Sequence, residues 1–212
     1  MDMMLKLSRS KKQMELLPPT LMKRYQKVEI PVVTIGTTNL TLNDNLSYCD
    51  VNTKEICDIF ITDMVKKGFK KPALLSYATP LTANNDRNIG FKESCKKNKL
   101  KYCIEIIELN DKNLVSKICN LIDQGFDSFI LPSTNLYKYV RVAIKKKGLE
   151  IVKNIMVYSL GYGYENKNTL KQIKYAEANW PAIANASVKL LNQMLNNRKR
   201  DNYIIIKNKI NN

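Results

Sequence analysis

The sequence predicts an α/β protein built on parallel sheets. Three observations carry that expectation. Short apolar runs alternate with amphipathic helical segments almost without exception. The runs Ile30-Pro31-Val32-Val33-Thr34-Ile35 and Phe129-Ile130-Leu131 are continuously apolar, as strands covered on both faces are. Helical segments stop at Gly68, Gly125 and Gly148, where a chain can turn out of a helix.

Residues 3–7 form a short apolar run that reads as a strand. Residues 11–17 and 20–28 read as helices, separated by Pro18-Pro19, which cannot sit in a helix interior. A strand follows at 30–35, then a polar connection rich in Thr and Asn to residue 45. Residues 53–67 repeat apolar side chains at helical spacing (Ile56, Ile59, Phe60, Met64). Next come a strand at 72–78 and a helix from about 84 to 97. Strands at 102–108, 129–132 and 155–160 alternate with helices at 114–122 and 136–147. A Gly-, Tyr- and Asn-rich loop covers 161–168, and 172–176 is extended. Residues 180–196 form a strong amphipathic helix with Pro181 in its first turn, where proline is tolerated. A closing strand at 203–206 precedes a polar tail. No residue pattern recurs at a fixed period.

The 212 residues suffice for one large domain or two small lobes, and 44% hydrophobic content supports a core. The formal net charge is +16. A dedicated polyanion surface and a general Lys-rich bias both give such a value. The basic residues recur in every helix rather than on one segment, which favours bias. Five cysteines without C-x-x-C spacing, and no histidine, remove the usual zinc sets and predict reduced, buried thiols and no metal. The basic N-terminal residues lack a following apolar stretch, and no segment is long and apolar enough to span a membrane. The expectation is a cytoplasmic protein without cofactor.

Catalytic patterns are missing. There is no G-x-S-x-G elbow, no phosphate loop and no G-x-G-x-x-G after a strand. Gly161-Tyr162-Gly163 follows a strand but lacks the third glycine and the helix. Without histidine no Ser-His or Cys-His pair can form, so no enzyme is expected.

The most informative run is Asp86-Arg87-x-x-Gly90-Phe91. An arginine at the start of a helix, beyond the carboxyl end of a strand, faces the crevice where open α/β sheets bind ligands. Its planar fork of five donors suits hydroxyl pairs or carboxylates. A surface pair with Asp86 is the structural alternative. Gly90 lets the helix approach a neighbour, and Phe91 enters the core. Trp180, the single tryptophan, reads as a core or hinge packer more readily than as a ligand stacker. Tyr162 and Tyr164, on the loop beyond a strand end, could wall a cleft.

Taken in order, several stretches resemble the effector domain of the LacI/GalR family of sugar-responsive transcriptional repressors. They are Ile30-Pro31-Val32-Val33; Met64-Val65-Lys66-Lys67-Gly68-Phe69 followed by Pro72-Ala73-Leu74-Leu75; and Arg87-x-x-Gly90-Phe91. Ala143-Ile144 with Gly148-Leu149, then the strand at 155–160, and the helix at 179–191 complete the series. The resemblance implies two Rossmann-like lobes of the type I periplasmic-binding-protein-like kind, joined by a three-stranded hinge, with a sugar-type effector between them. One lobe takes residues 1–50 plus 178–202, and the other 51–177 plus 203–212. It implies a cytoplasmic, dimeric, non-catalytic regulator. Ligand-binding roles fall to Arg87, Ser133, Tyr162 and Asn179.

The departures carry their own expectations. The family's helix-turn-helix DNA headpiece and the early βα units of the first lobe have no counterpart here, so that lobe reads as incomplete and the DNA-binding output as missing. Family acids and amides in the pocket fall at Gly36, Ser133-Thr134 and Gly161. A site short of such groups holds a typical sugar weakly, at roughly 0.5–1.5 kcal/mol per lost hydrogen bond. The reading from another class is a basic interaction module or remnant without ligand, with salt-sensitive affinity for nucleic acid.

Overall fold

The computed structural model describes residues 30–36, 45–78, 82–151, 153–161, 170–196 and 203–211. The elements expected at 3–7, 11–17 and 20–28 lie outside them. In chain order the elements are β1 (Val32–Ile35), β2 (Leu46–Val51), α1 (Thr53–Lys66), β3 (Pro72–Tyr77), α2 (Thr82–Lys97), β4 (Cys103–Ile107) and α3 (Leu114–Asp123). There follow β5 (Ser128–Leu131), a 3-10 turn at Thr134–Leu136, α4 (Tyr137–Lys146), β6 (Met156–Ser159), β7 (Lys174–Glu177), α5 (Trp180–Leu195), β8 (Tyr203–Ile206) and β9 (Lys209–Asn211).

Two sheets organise these elements. The larger runs β4-β3-β5-β6-β7-β9, parallel except for the last pair, and the smaller runs β1-β2-β8, all parallel. The α/β class with parallel sheets is thus as the sequence predicts. The central strands of the larger sheet are buried on both faces, whereas β1, read as equally covered, is half-buried and leaves Ile35 58% exposed. On β3, Ala73 and Leu75 join the core under α3 and α4, while Leu74 joins the core under α1 and α2. Phe129 and Leu131 against Ile130, and Val157 against Met156 and Tyr158, divide in the same way. A strand with one polar face could not serve both cores.

The winding sets the position of the site. From β3 the chain passes through α2 to β4 on one side, then returns through α3 to β5 on the other side of β3. The direction of winding therefore reverses between β3 and β5, and ligands of open α/β sheets bind outside the carboxyl ends of strands at such a point. In the smaller sheet α5 covers one face, with Ile183 and Leu190 against Val33, Cys49, Val51, Ile204 and Ile206.

Among the described residues the chain passes between the sheets at three places: from β2 into α1, from β7 into α5, and from β8 into β9. The grouping of residues 203–212 with the second lobe needs correction. Tyr203–Ile206 pairs with β2 in the smaller sheet, and only Lys209–Asn211 joins the larger one, antiparallel to β7. Its alternating exposure suits a strand beside β2, and the polar tail beyond it supplies the edge strand. β2 itself has no counterpart in the sequence reading.

Gly90 performs the task expected of it. A Cβ there would lie 2.8 Å from the backbone Cα of Lys54, so α1 and α2 meet closer than any side chain allows. Phe91 is fully buried beside it. Trp180, expected as a packer, is 61% exposed and contributes to neither core.

Candidate functional site

The site begins at the carboxyl end of β3. The Tyr77 carbonyl there accepts a hydrogen bond from Asn84 Nδ2 at 3.4 Å. Asn84 lies one helical turn before Arg87, and its Oδ1 accepts from Arg87 Nη1 at 3.3 Å. The strand end thus orients Asn84, and Asn84 orients the guanidinium. Beneath them Cys57 of α1, fully buried, donates through Sγ to the Arg87 carbonyl at 3.7 Å.

The guanidinium is poorly solvated. Burial pushes its pKa below the ordinary arginine value, against the opposing influence of Cys57, Tyr77 and Asp50. Arginine nevertheless stays charged in proteins. Asp50 belongs to β2, so the smaller sheet brings a carboxylate within electrostatic reach of a residue borne by the larger one. Arg87 Nε is buried and has no hydrogen-bond partner among the described residues, and Asn88 Oδ1 in the same turn is in the same state. Among the described residues no ion pair joins Arg87 to Asp86. The surface-pair alternative is therefore not what the fold builds.

The other expected residues occupy strand ends of the same sheet. Ser133 follows β5, and its Oγ accepts from the Asn135 amide at 3.4 Å, capping the 3-10 turn. Asn179 follows β7, and its Oδ1 accepts from the Ala182 amide at 3.5 Å, capping α5. Both side chains have local partners, and no hydrogen bond joins either of them to Arg87 among the described residues. Tyr162 lies outside the described residues. Gly161 lies two residues beyond β6, and its carbonyl accepts from the Thr134 amide at 3.1 Å and from Ser159 Oγ at 2.8 Å. A Cβ at Gly161 would stand 2.9 Å from the Pro132 carbonyl, so this backbone admits no carboxylate at that position.

Sequence reasoning missed Asp50, Cys57, Tyr77 and Asn84. Asn84 was within reach, because residues three apart on a helix share a face. Asp50 was not, because its strand went unrecognised.

Burial pushes the Cys57 thiol up to about 12 despite the nearby Arg87 charge, and burial pushes Cys95 to about 12 as well. Neither supplies a thiolate near neutral pH. No group of three or more metal-ligating side chains occurs among the described residues. No helix among them is long and apolar enough to cross a membrane.

No protein-family model matches the chain, and no curated protein matches it. Solved structures do. A LacI-family regulatory protein from Chloroflexus aggregans superposes with a TM-score of 0.79 at 14% identity, over 90% of this chain and 70% of that one. A periplasmic binding protein/LacI transcriptional regulator from Alkaliphilus metalliredigens, complexed with D-xylulofuranose, gives 0.71 at 17% identity, over 90% and 72%. The dimeric Lac repressor with an 11-residue C-terminal deletion gives 0.75 at 11% identity, over 91% and 71%. The fold is the type I periplasmic-binding-protein-like fold of LacI-family effector domains.

Proposed function

We propose that the chain is the effector-sensing part of a LacI/GalR-like transcriptional regulator, binding a small polyhydroxylated molecule at the carboxyl edge of the larger sheet, where the smaller sheet approaches. The observation that carries this reading is the buried Nε of Arg87, without a hydrogen-bond partner among the described residues, with Asp50 of the smaller sheet within electrostatic reach. A buried donor without a partner costs roughly 1–3 kcal/mol, which a ligand oxygen offsets on binding. A sugar hydroxyl both accepts and donates, so it can bridge a guanidinium and a carboxylate. The fold supports the reading, since one structure that shares it holds D-xylulofuranose.

In this mechanism the residues on either side of the three passages form two lobes. The effector ties the Arg87 lobe to the Asp50 lobe and favours their closed arrangement. In a homodimer, closure would alter the spacing of DNA headpieces outside this chain. Ser133, beyond the adjacent strand β5, and Asn179, beyond β7 three strands from β3, are assigned supporting contacts to the ligand. No step of the mechanism is catalytic. Gly36 and Gly161 offer no side-chain hydrogen bonds, so affinity for simple sugars is modest.

Calorimetric titration of a carbohydrate panel tests the reading. One member binds saturably, and Arg87→Ala weakens it by roughly 10-fold or more, as expected for loss of a charged hydrogen bond worth about 1.5–3 kcal/mol. Saturable binding that Arg87→Ala leaves unchanged refutes the site.

A further inference from the structure

A groove of about 630 Å³ lies away from this site, between α4 and the segment that follows it. Lys138, Arg141, Val142 and Lys145 share one face of α4 at spacings of three and four. The opposite face, with Tyr137, Val140, Ala143 and Ile144, is buried in the core. Gly148 ends the helix at φ +64°, and the Leu149 amide returns to the Ile144 carbonyl at 3.1 Å. That turn lays Leu149 and Ile151 alongside the last turn of α4. The groove therefore has an aliphatic floor of Leu149, Ile151 and the 46%-exposed Val142, beneath a rim of three cations.

Two cations nearby are paired. Lys147, on the same helix, pairs with Asp123 at 2.6 Å, and Lys117 pairs with Asp111 at 2.9 Å. Lys138, Arg141 and Lys145 take part in no ion pair among the described residues. Lys138 lies 5.1 Å from the Tyr139 ring and Arg141 5.9 Å from the Tyr137 ring, contacts that leave their charge uncompensated. Glu150, the one carboxylate of the lining, already faces Lys153 at 3.5 Å.

We infer that this groove docks an acidic polypeptide segment that presents carboxylates to Lys138, Arg141 and Lys145 and aliphatic side chains to Val142, Leu149 and Ile151. Charge complementarity selects the partner. A second copy of this face would set cations against cations. Nucleic acid fits less well: the floor is aliphatic, and Tyr137 is buried and cannot stack on a base. A peptide with acidic and aliphatic faces matches both features.

Fluorescence anisotropy on the full chain tests this. The probe is a labelled peptide of glutamate and leucine at helical spacing, with labelled polyglutamate and oligothymidine as comparisons. The glutamate–leucine peptide binds tightest. Lys138→Glu with Arg141→Glu weakens it by roughly 10-fold or more, and Val142→Asp weakens it as well. The matched reversal Lys92→Glu with Lys96→Glu, on exposed positions of α2, changes it less than about 2-fold. All substituted positions are exposed, and circular dichroism verifies folding. Absence of peptide binding, equal loss in the matched reversal, or tighter binding of oligothymidine indifferent to Val142→Asp each overturns the inference.

Discussion

Replacing Arg87 with methionine separates a binding role from a structural one. Arg87 is half-buried, with its Nε buried and unpartnered and Nη1 in one long hydrogen bond to Asn84. Removing the orphan donor returns roughly 1–3 kcal/mol of desolvation, and losing the Asn84 bond costs about 0.5–1.5 kcal/mol. Methionine fills most of the volume with flexible apolar atoms. The balance is a gain of about 1 kcal/mol in stability together with loss of effector binding. For a chain of this size that is a rise of about 2–4 °C in Tm. Urea unfolding followed by tryptophan fluorescence and circular dichroism measures it, with calorimetry for binding. A loss of more than about 1 kcal/mol would mean that the guanidinium belongs to a satisfied structural network, and the argument from its unmet donor would fail.

Three further outcomes follow from the geometry. Gly90→Ala places a Cβ 2.8 Å from the Lys54 backbone; the resulting overpacking, about 1–3 kcal/mol, exceeds the helix-propensity gain of about 1 kcal/mol, so denaturant midpoints fall. Asp63 accepts from Tyr158, Lys67 and Lys174; burial pushes its pKa up, but these bonds outweigh it and hold the carboxyl down at about 2. Its stabilising contribution is complete above the unfolded carboxylate range and fades as pH falls toward 2, so the urea-midpoint gap between the native chain and Asp63→Asn closes in acid. Lys99 ends α2 at φ +54°, where α1, α3 and α4 carry glycine, and Lys99→Gly raises thermal stability by about 1 kcal/mol.

Much of the larger sheet was legible because its signals are local. Pro72–Tyr77, Met156–Ser159 and the helices ending at Gly68, Gly125 and Gly148 each carry period and stop signal within a dozen residues. The smaller sheet was harder to read. Leu46–Val51 mixes Ser, Tyr, Cys and Asp, and it becomes a strand through parallel neighbours distant in sequence on one side and close on the other. Missing it concealed Asp50. Lys209–Asn211 is likewise a strand by virtue of the β7 edge it meets, not of its own composition. Trp180 showed the limit of residue-type priors, since the fold turns it outward.

The pairing of Tyr48 with Tyr203, whose rings stack at 5.2 Å, has a consequence for assembly. Every strand of the larger sheet but one comes from a continuous stretch that can collapse as it is synthesised. The smaller sheet must wait for residue 206, because its middle strand closes a loop of most of the polypeptide. During translation that strand therefore spends its time with an open edge, and chaperone protection or a slow final folding phase is to be sought there.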